Sequence, residues 1–492
     1  GVAHGSGMTL PDVYLEVQHP CRSCNSSSSS ANADAGMLGR TQAKRRIMDN
    51  DDYTAKMTEL IRLMRTIGND TQQCEVKECA HKISTTITDT LSAFSNGNGG
   101  YIILGLSEKN GFTPVDGFNA RSMQEALSQA CEKLTPVVRP VIVTRPFEGA
   151  NLVFAVIDEM LPREKPCYFT AAGPYNGSYI RTGDGDRRMT AYEVDRLLEE
   201  QRQPEHDIAV VEGATATDLS PALVQALLVN ERARHGHVFE GMSDEEMLLN
   251  LRAVGRLCSD TASGSETDDA MIRPTLAGLL ALGRYPQKFY PRLTISAAMF
   301  PGISRDEVFS TGRELVRTAV FVGPIPTMVC DAVETLMDWS RSASPAFDPA
   351  RPPYPQAVLR EAISNALIHR DYSPDAVGTP VHVDMFADRI EITNPGGLFG
   401  AVTKRTLKQP ASGSTRNPFL FSLLRSVPYP SDGMVLQDNG TGYRRIEALL
   451  RNEQRPPARI DNSIDSFRVT IPALSSNSPG SSGVPGSSRL SA

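Results

Sequence analysis

A chain of 492 residues is long enough for about two to four domains, and its 40% hydrophobic and 22% charged content is that of an ordinary globular protein. The formal net charge of −7 excludes a protein that coats nucleic acid through bulk positive charge, although a local basic patch can still meet a phosphate backbone. No window approaches the ~20 apolar residues of a membrane helix; "TLAGLLALG" is the longest such run, and no membrane association is expected.

The eight cysteines are scattered (Cys21, Cys24, Cys74, Cys79, Cys131, Cys167, Cys258 and Cys330) and read as reduced thiols of a cytoplasmic protein. Cys21-x-x-Cys24 has no second pair to complete a zinc site. Residues 1–51, with "SSSSS", and 474–492, with "SSNSPGSSGVPGSSRLSA", lack the apolar content to form a core and read as disordered. The "GSG" before Met8 reads as an added leader.

Three blocks lie between these ends. In 52–203, "TAKMTELIRLMRTI" and "ISTTITDTLSAFSN" have helical periodicity, and "GNGG" stops the second before the buried-strand run "YIILGL". "PVIVTRPF" and "NLVFAVIDE" form a strand pair, "SYIRTGDGDRRM" a strand and turn, and "AYEVDRLLEEQ" a closing helix. In 204–350, "MSDEEMLLNLRAVGR" is a capped helix, "PTLAGLLALG" an apolar segment, "RLTISAAMF" a strand and "VCDAVETLMDWSRS" a helix. A proline-rich link, "SPAFDPARPPYP", follows. In 351–473, "REAISNALIHRDY" is a helix, and "VHVDMF" and "RIEITN" are antiparallel strands turning at Ala387–Asp388. "NPFLFSLLRSV" and "GYRRIEALLRNE" are helices and "SFRVTIP" is a last strand. The order is mixed α and β, of the α+β class.

On the helix of "REAISNALIHRDY", Glu361, Asn365 and His369 recur every four residues and share one stripe opposite Leu359, Ile363, Ala366 and Leu367. The plain alternative is a solvated helix face. The glycine turns downstream, "NPGG" and "NGTG", favour a site, because glycine lets backbone N–H groups approach phosphate oxygens. There, an amide carbonyl can coordinate Mg²⁺ while a carboxylate one turn away orients or deprotonates water. "HRD" is not a kinase catalytic loop: the position five residues after Asp371 is Ala376 rather than Asn.

"YPQAVLREAISNALIHRDYS", "FADRIEITNPGGLF", "RNPFL" and "NGTGYRRI", in that order, resemble a bacterial family of ATP-binding transcriptional regulators. The ATPase part of that family is similar to the GHKL (Bergerat) group of gyrase B, MutL and histidine kinases. "PTLAGLLALGRYPQKFYP" resembles the family's linker region. "CEVKECAHKISTTITDTLSAFSNGNGGYIILGLSEKNGF" resembles the AlbA_2 domain shared with Schlafen proteins.

The resemblance implies an N-terminal AlbA_2-like α/β module, a middle helix-and-strand linker domain and a C-terminal Bergerat-like α/β sandwich. It implies that Asn365 holds Mg²⁺, Glu361 activates water, and Asn394, Gly396 and Gly397 meet the adenine, with Asn394 in place of the group's usual Asp. Gly440 and Gly442 would approach the phosphates, Arg416 and Asn417 would belong to a lid over ATP, and His369 would line the pocket or, with Arg370 and Asp371, serve packing and capping.

In Schlafen nucleases three acidic residues of this domain bind metal and cut RNA. Asp70, Glu75 and Glu108 fall at comparable places here, with Lys77 nearby; the plain alternative makes Glu75 and Lys77 a surface ion pair on a strand. Lys77, Lys82, Arg181, Arg187 and Arg188 are the candidates for nucleic-acid contact. Relatives often carry a helix-turn-helix after the ATPase part; the Ser/Gly/Pro-rich end here is not expected to form one. The expectation is an ATP- and Mg²⁺-binding regulator that contacts DNA or RNA, as a homodimer or higher homo-oligomer. The alternatives are an ATP-controlled Mg²⁺/Mn²⁺ nuclease, or a degenerate ATPase fold used for dimerisation.

Overall fold

The computed structural model describes residues 50–80, 82–183, 185–257, 271–311, 316–343, 352–409, 413–431, 433, 435–436 and 442–474. The ends expected to be disordered, the Cys21-x-x-Cys24 pair and Gly440 fall outside these residues, apart from 50, 51 and 474. The five described cysteines are free and buried.

The first periodic run folds as the helix Asn50–Ile67, which turns Tyr53, Met57, Leu60, Ile61 and Met64 to one side. That side packs on a four-stranded sheet in the order Cys74–Lys77, Gly100–Leu104, Ala150–Ile157, Val141–Phe147. The first two strands are parallel and the other pairings antiparallel. Alternate strand residues face opposite ways: Ile103, Leu152 and Phe154 meet the opening helix, whereas Ile102, Leu104, Val153 and Ala155 meet the helices Ile87–Asn96 and Ala120–Cys131. Helices thus cover both faces, which is why "YIIL" is unbroken hydrophobic sequence rather than an alternating one. The arginine-rich hairpin Tyr179–Thr182 and Gly185–Arg188 follows, and the helix Ala191–Glu199 begins at a Thr190/Glu193 capping box.

A second sheet has six strands, in the order Arg317–Phe321, Ile295–Met299, Val381–Met385, Arg389–Pro395, Ser466–Pro472, Arg459–Asn462. Ile295–Met299 lies parallel to Val381–Met385; the remaining neighbours are antiparallel. Val383, Ile392 and Val469 belong to one core with Val333, Ile363 and Ile446 of the helices Ile325–Ala343, Gln356–His369 and Gly442–Asn452.

Two of the six strands come from before residue 350 and four from after it, so the partition expected at 350/351 runs through one sheet and one core. The physical reason is pairing: the strand of "RLTISAAMF" bonds on one side to Arg317–Phe321 and on the other to Val381–Met385, 86 residues on, so no separate middle sheet forms. The helix Pro221–Phe239, for which the sequence reading has no element, buries only Leu227, Leu228 and Glu231, and its apolar residues trace no single stripe. His235 interrupts its helical backbone.

Candidate functional site

The stripe residues Glu361 and Asn365 stand on Gln356–His369 where that helix meets the start of Gly442–Asn452. Asn365 Nδ2 lies 3.4 Å from Glu361 Oε1, and Arg445 Nε lies 3.9 Å from Glu361 Oε2. The Glu361 side chain is 16% exposed, so this is a wall reached by solvent and not a buried pair. Gly442 comes so close that a Cβ there would sit 2.6 Å from Asn365 Nδ2 and 2.8 Å from Oδ1; only a glycine leaves the amide in place. A carboxylate, an amide, a guanidinium and a helix start therefore converge on one spot. Oxygen ligands for a hard cation and donors for phosphate oxygens are both present, so the residues fit a nucleotide with its Mg²⁺. Arg445 was missed in sequence, though "RR" one residue beyond "GTG" was a readable signal.

The other expected nucleotide contacts are used differently. Arg416 is fully buried: it donates to His369 O (2.9 Å) and Gly397 O (3.1 Å) and holds Glu200 Oε1 at 2.5 Å. Asn417 is buried too, and its Nδ2 donates to Ile368 O (2.8 Å) and Arg370 O (2.9 Å), satisfying carbonyls at the end of the stripe helix. Both are internal staples rather than lid residues over an open pocket. Gly396, in the left-handed region at φ +84°, is packed so tightly that a Cβ would lie 2.6 Å from Arg416 Nη1, and one on Gly397 would lie 2.2 Å from Ser463 O. Protein atoms, not open space, occupy the approach to these two glycines. Asn394 is buried and its NH₂ donates to Pro395 O at 3.1 Å, which leaves its carbonyl as the remaining acceptor.

His369-Arg370-Asp371 resolves into structure. Arg370 is fully buried and donates to Ala376 O (2.8 Å) and Thr379 O (2.7 Å). Asp371 accepts from Ser373 N (2.8 Å) and Oγ (3.0 Å) and faces Arg196 Nη2 at 3.3 Å. Burial of the His369 ring, and secondarily the charge of Arg416, hold its pKa down to about 4, so the ring is neutral at physiological pH. Arg196 ties the closing helix of the first block to this turn and Glu200 ties its end to Arg416, and neither was singled out in sequence.

In the first domain, Glu75 is buried and ion-paired on both sides, with Lys77 Nζ at 2.5 Å and Arg181 Nη1 at 2.7 Å. The strand pair Glu75–Lys77 is thus real, with its carboxylate buried and its lysine half-buried. Asp70 accepts from Val76 N at 3.2 Å; burial first, and the nearby Glu75 and Glu108 charges after it, push its carboxyl up to about 7. Glu108 is exposed. Among the described residues no group of three His, Cys, Asp or Glu is placed to hold a metal ion, and the set Asp70, Glu75, Glu108 does not assemble into one.

Arg181, expected at a nucleic-acid surface, is 4% exposed and also holds Asp186 at 3.0 Å. Strand alternation explains it: Arg181 and its cross-strand partner Asp186 face inward. Arg187, Arg188 and Lys82 are exposed, with Arg187 paired to Glu193 at 2.7 Å; Lys77 is half-buried.

A cavity of about 930 Å³ is lined by 114–121 with Glu148 and Asn151, and another of about 420 Å³ by Pro352, Gln356 and Glu453; neither reaches Glu361 or Asn365.

Together these features define an α+β chain that joins a four-stranded sheet domain with an arginine-rich hairpin to a six-stranded sheet packed against helices. Residues 70–190 match the family model described as "Schlafen, AlbA_2", and residues 378–471 match the one described as "Putative ATP-dependent DNA helicase recG C-terminal". The chain carries an AlbA_2 domain and an ATPase-like domain. Among solved structures, the DIP2311 protein from Corynebacterium diphtheriae is similar at 19% identity, over 85% of this chain and 81% of that one, with a TM-score of 0.37. The N-terminal domain of the putative ATP-dependent DNA helicase RecG-related protein from Nitrosomonas europaea is similar at 25% identity, over 27% of this chain and 92% of that one, with a TM-score of 0.22. No curated protein matches the chain. Among the described residues, no helix is long and apolar enough to cross a membrane.

Proposed function

We propose that this protein is an ATP-binding regulator whose nucleotide state governs nucleic-acid binding by its first domain. The observation that carries the reading is the convergence of Glu361, Asn365 and Arg445 beneath the close approach of Gly442. Asn365 would hold Mg²⁺, Glu361 would orient water, and the start of Gly442–Asn452 would face the phosphates. Two matched family models, one AlbA_2 and one from an ATP-dependent DNA helicase family, support the pairing of nucleotide with nucleic acid.

Communication between the parts has a physical route: the Glu200–Arg416 and Arg196–Asp371 contacts join the helix after the hairpin to the turn after the stripe helix. Lys82, Arg187 and Arg188 present the charge for a phosphate backbone. The protein would work in the cytoplasm as a homo-oligomer, with 52–203 as the nucleic-acid unit and 204–473 as the nucleotide unit. Metal-dependent cleavage draws no support from the carboxylates, because Glu75 is already engaged by two cations.

The test is an electrophoretic shift of DNA and of RNA with and without ATP and Mg²⁺. The reading expects a nucleotide-dependent shift, lost in Asn365→Ala with ATP present and in Arg187→Glu/Arg188→Glu under all conditions. A shift indifferent to ATP in the unmodified protein would leave the ATPase-like part as a structural platform.

A further inference from the structure

The acidic set of the first domain is implied, by resemblance to Schlafen nucleases, to be a divalent-metal site. The atoms around it are arranged for something else. Each Glu75 oxygen has its own cation, Lys77 Nζ at 2.5 Å and Arg181 Nη1 at 2.7 Å. Arg181 is anchored three further ways: to Asp186 Oδ1 at 3.0 Å, to Thr71 O at 3.2 Å, and over the Phe94 ring with its guanidinium carbon 5.3 Å from the centroid. Asp186 is fixed in turn by Thr90 Oγ1 at 2.7 Å.

Around this guanidinium, Asp70 Oδ1, Thr71 Oγ1, Glu75 Oε2 and Arg181 Nε are all buried without a hydrogen-bond partner. Glu75 Oε2 and Arg181 Nη1 meet 2.7 Å apart as opposite charges pressed together by burial. A divalent ion needs several oxygens free to close on it at ~2.0–2.6 Å. Asp70 Oδ1 and Thr71 Oγ1 are free to do so, but an ion here would still have to take Glu75 from both partners and sit beside two positive charges.

We propose that Arg181 is the resident cation of this acidic cluster, standing where a metal would, and that the pairing locks the hairpin Tyr179–Arg188 to the sheet. The lock has a directional consequence. Arg181 and Asp186 are cross-strand partners pointing inward, so fixing them turns the next residue, Arg187, to the opposite, solvent-facing side in one orientation. The cluster is then an ion-independent clamp for the hairpin, and the first domain is closed to Mg²⁺ and Mn²⁺ in its resting state.

The experiment is calorimetric titration of the full chain with MnCl₂, paired with amide hydrogen exchange across 179–188. The unmodified protein should show no saturable uptake that Glu75→Gln removes. Arg181→Met should gain a saturable site of one ion per chain that Arg181→Met/Glu75→Gln lacks, and its hairpin amides should exchange at least tenfold faster. Arg181→Lys, which keeps the charge and serves if the methionine variant does not fold, should stay closed to Mn²⁺. Saturable Mn²⁺ binding by the unmodified protein that Glu75→Gln abolishes overturns the proposal. So does an Arg181→Met protein that folds but gains no site or leaves hairpin exchange unchanged.

Discussion

Replacing Arg416 by Met tests how the two sheets' domains are held together. The side chain is 1% exposed and its partner Glu200 6%, so the 2.5 Å contact between them is dry on both sides. Met keeps roughly the length of the arginine stem and removes the fork. Glu200 is then left as an unpaired carboxylate, and the carbonyls of His369 and Gly397 lose their donor. Breaking a buried pair from one side costs about 3–5 kcal/mol, and each lost donor adds about 1 kcal/mol. Burial already raises the Glu200 pKa, so the stranded group can escape part of this by taking up a proton.

The expected loss is therefore about 5–7 kcal/mol at pH 8, where proton uptake helps least, and smaller at pH 5. Arg416→Met/Glu200→Gln should recover part of it, because no charge remains to strand. The single tryptophan, Trp339, lies buried in the large core, so urea unfolding followed by its fluorescence reads the relevant transition. A loss below about 1 kcal/mol for Arg416→Met at pH 8, or a double variant no better than the single one, would refute the staple role.

Three further outcomes follow from the geometry. Gly442→Ala places a Cβ 2.6 Å from Asn365 Nδ2, so ATP affinity should fall at least tenfold while the midpoint of thermal unfolding barely moves, read by calorimetry and circular dichroism. Asp70 holds its proton up to about pH 7 in the folded chain but only to about 4 unfolded, so the folded state binds the extra proton and stability falls as pH rises between those values. Asp70→Asn should accordingly stabilise by about 1–3 kcal/mol at pH 8 and little at pH 4, checked by urea midpoints. His369 has the opposite sign: its folded pKa of about 4 lies below the ordinary ~6.5, so stability present above pH 6.5 is lost as pH falls toward 4. His369→Gln should flatten that acid-side loss, and an unchanged slope would show that the ring is not the group responsible.

The elements with strong periodicity were legible in sequence: the Glu361–Asn365 stripe, the two-sided strand "YIIL" and the "VHVDMF"/"RIEITN" pair all form where the spacing places them. What stayed hidden depends on partners far along the chain. An arginine in a polar loop looks the same whether it covers a ligand or fills a core, and the partner that decides it for Arg416 is Glu200, 216 residues away. Arg181 failed for a related reason: a strand arginine faces in or out according to register, and only the Asp186 and Glu75 pairing sets that. The sheet crossing residue 350 was obscured because a proline-rich link reads as a boundary, although the strands on either side of it share hydrogen bonds.

The central claim, that Glu361, Asn365 and Gly442 form a nucleotide site, is tested most directly by isothermal titration of the full chain with ATP in the presence and absence of Mg²⁺. The account predicts saturable binding of one ATP per chain that tightens with Mg²⁺, with the Mg²⁺ dependence lost in Asn365→Ala. Absence of saturable binding up to millimolar ATP, or a Mg²⁺ dependence untouched by Asn365→Ala, would contradict it.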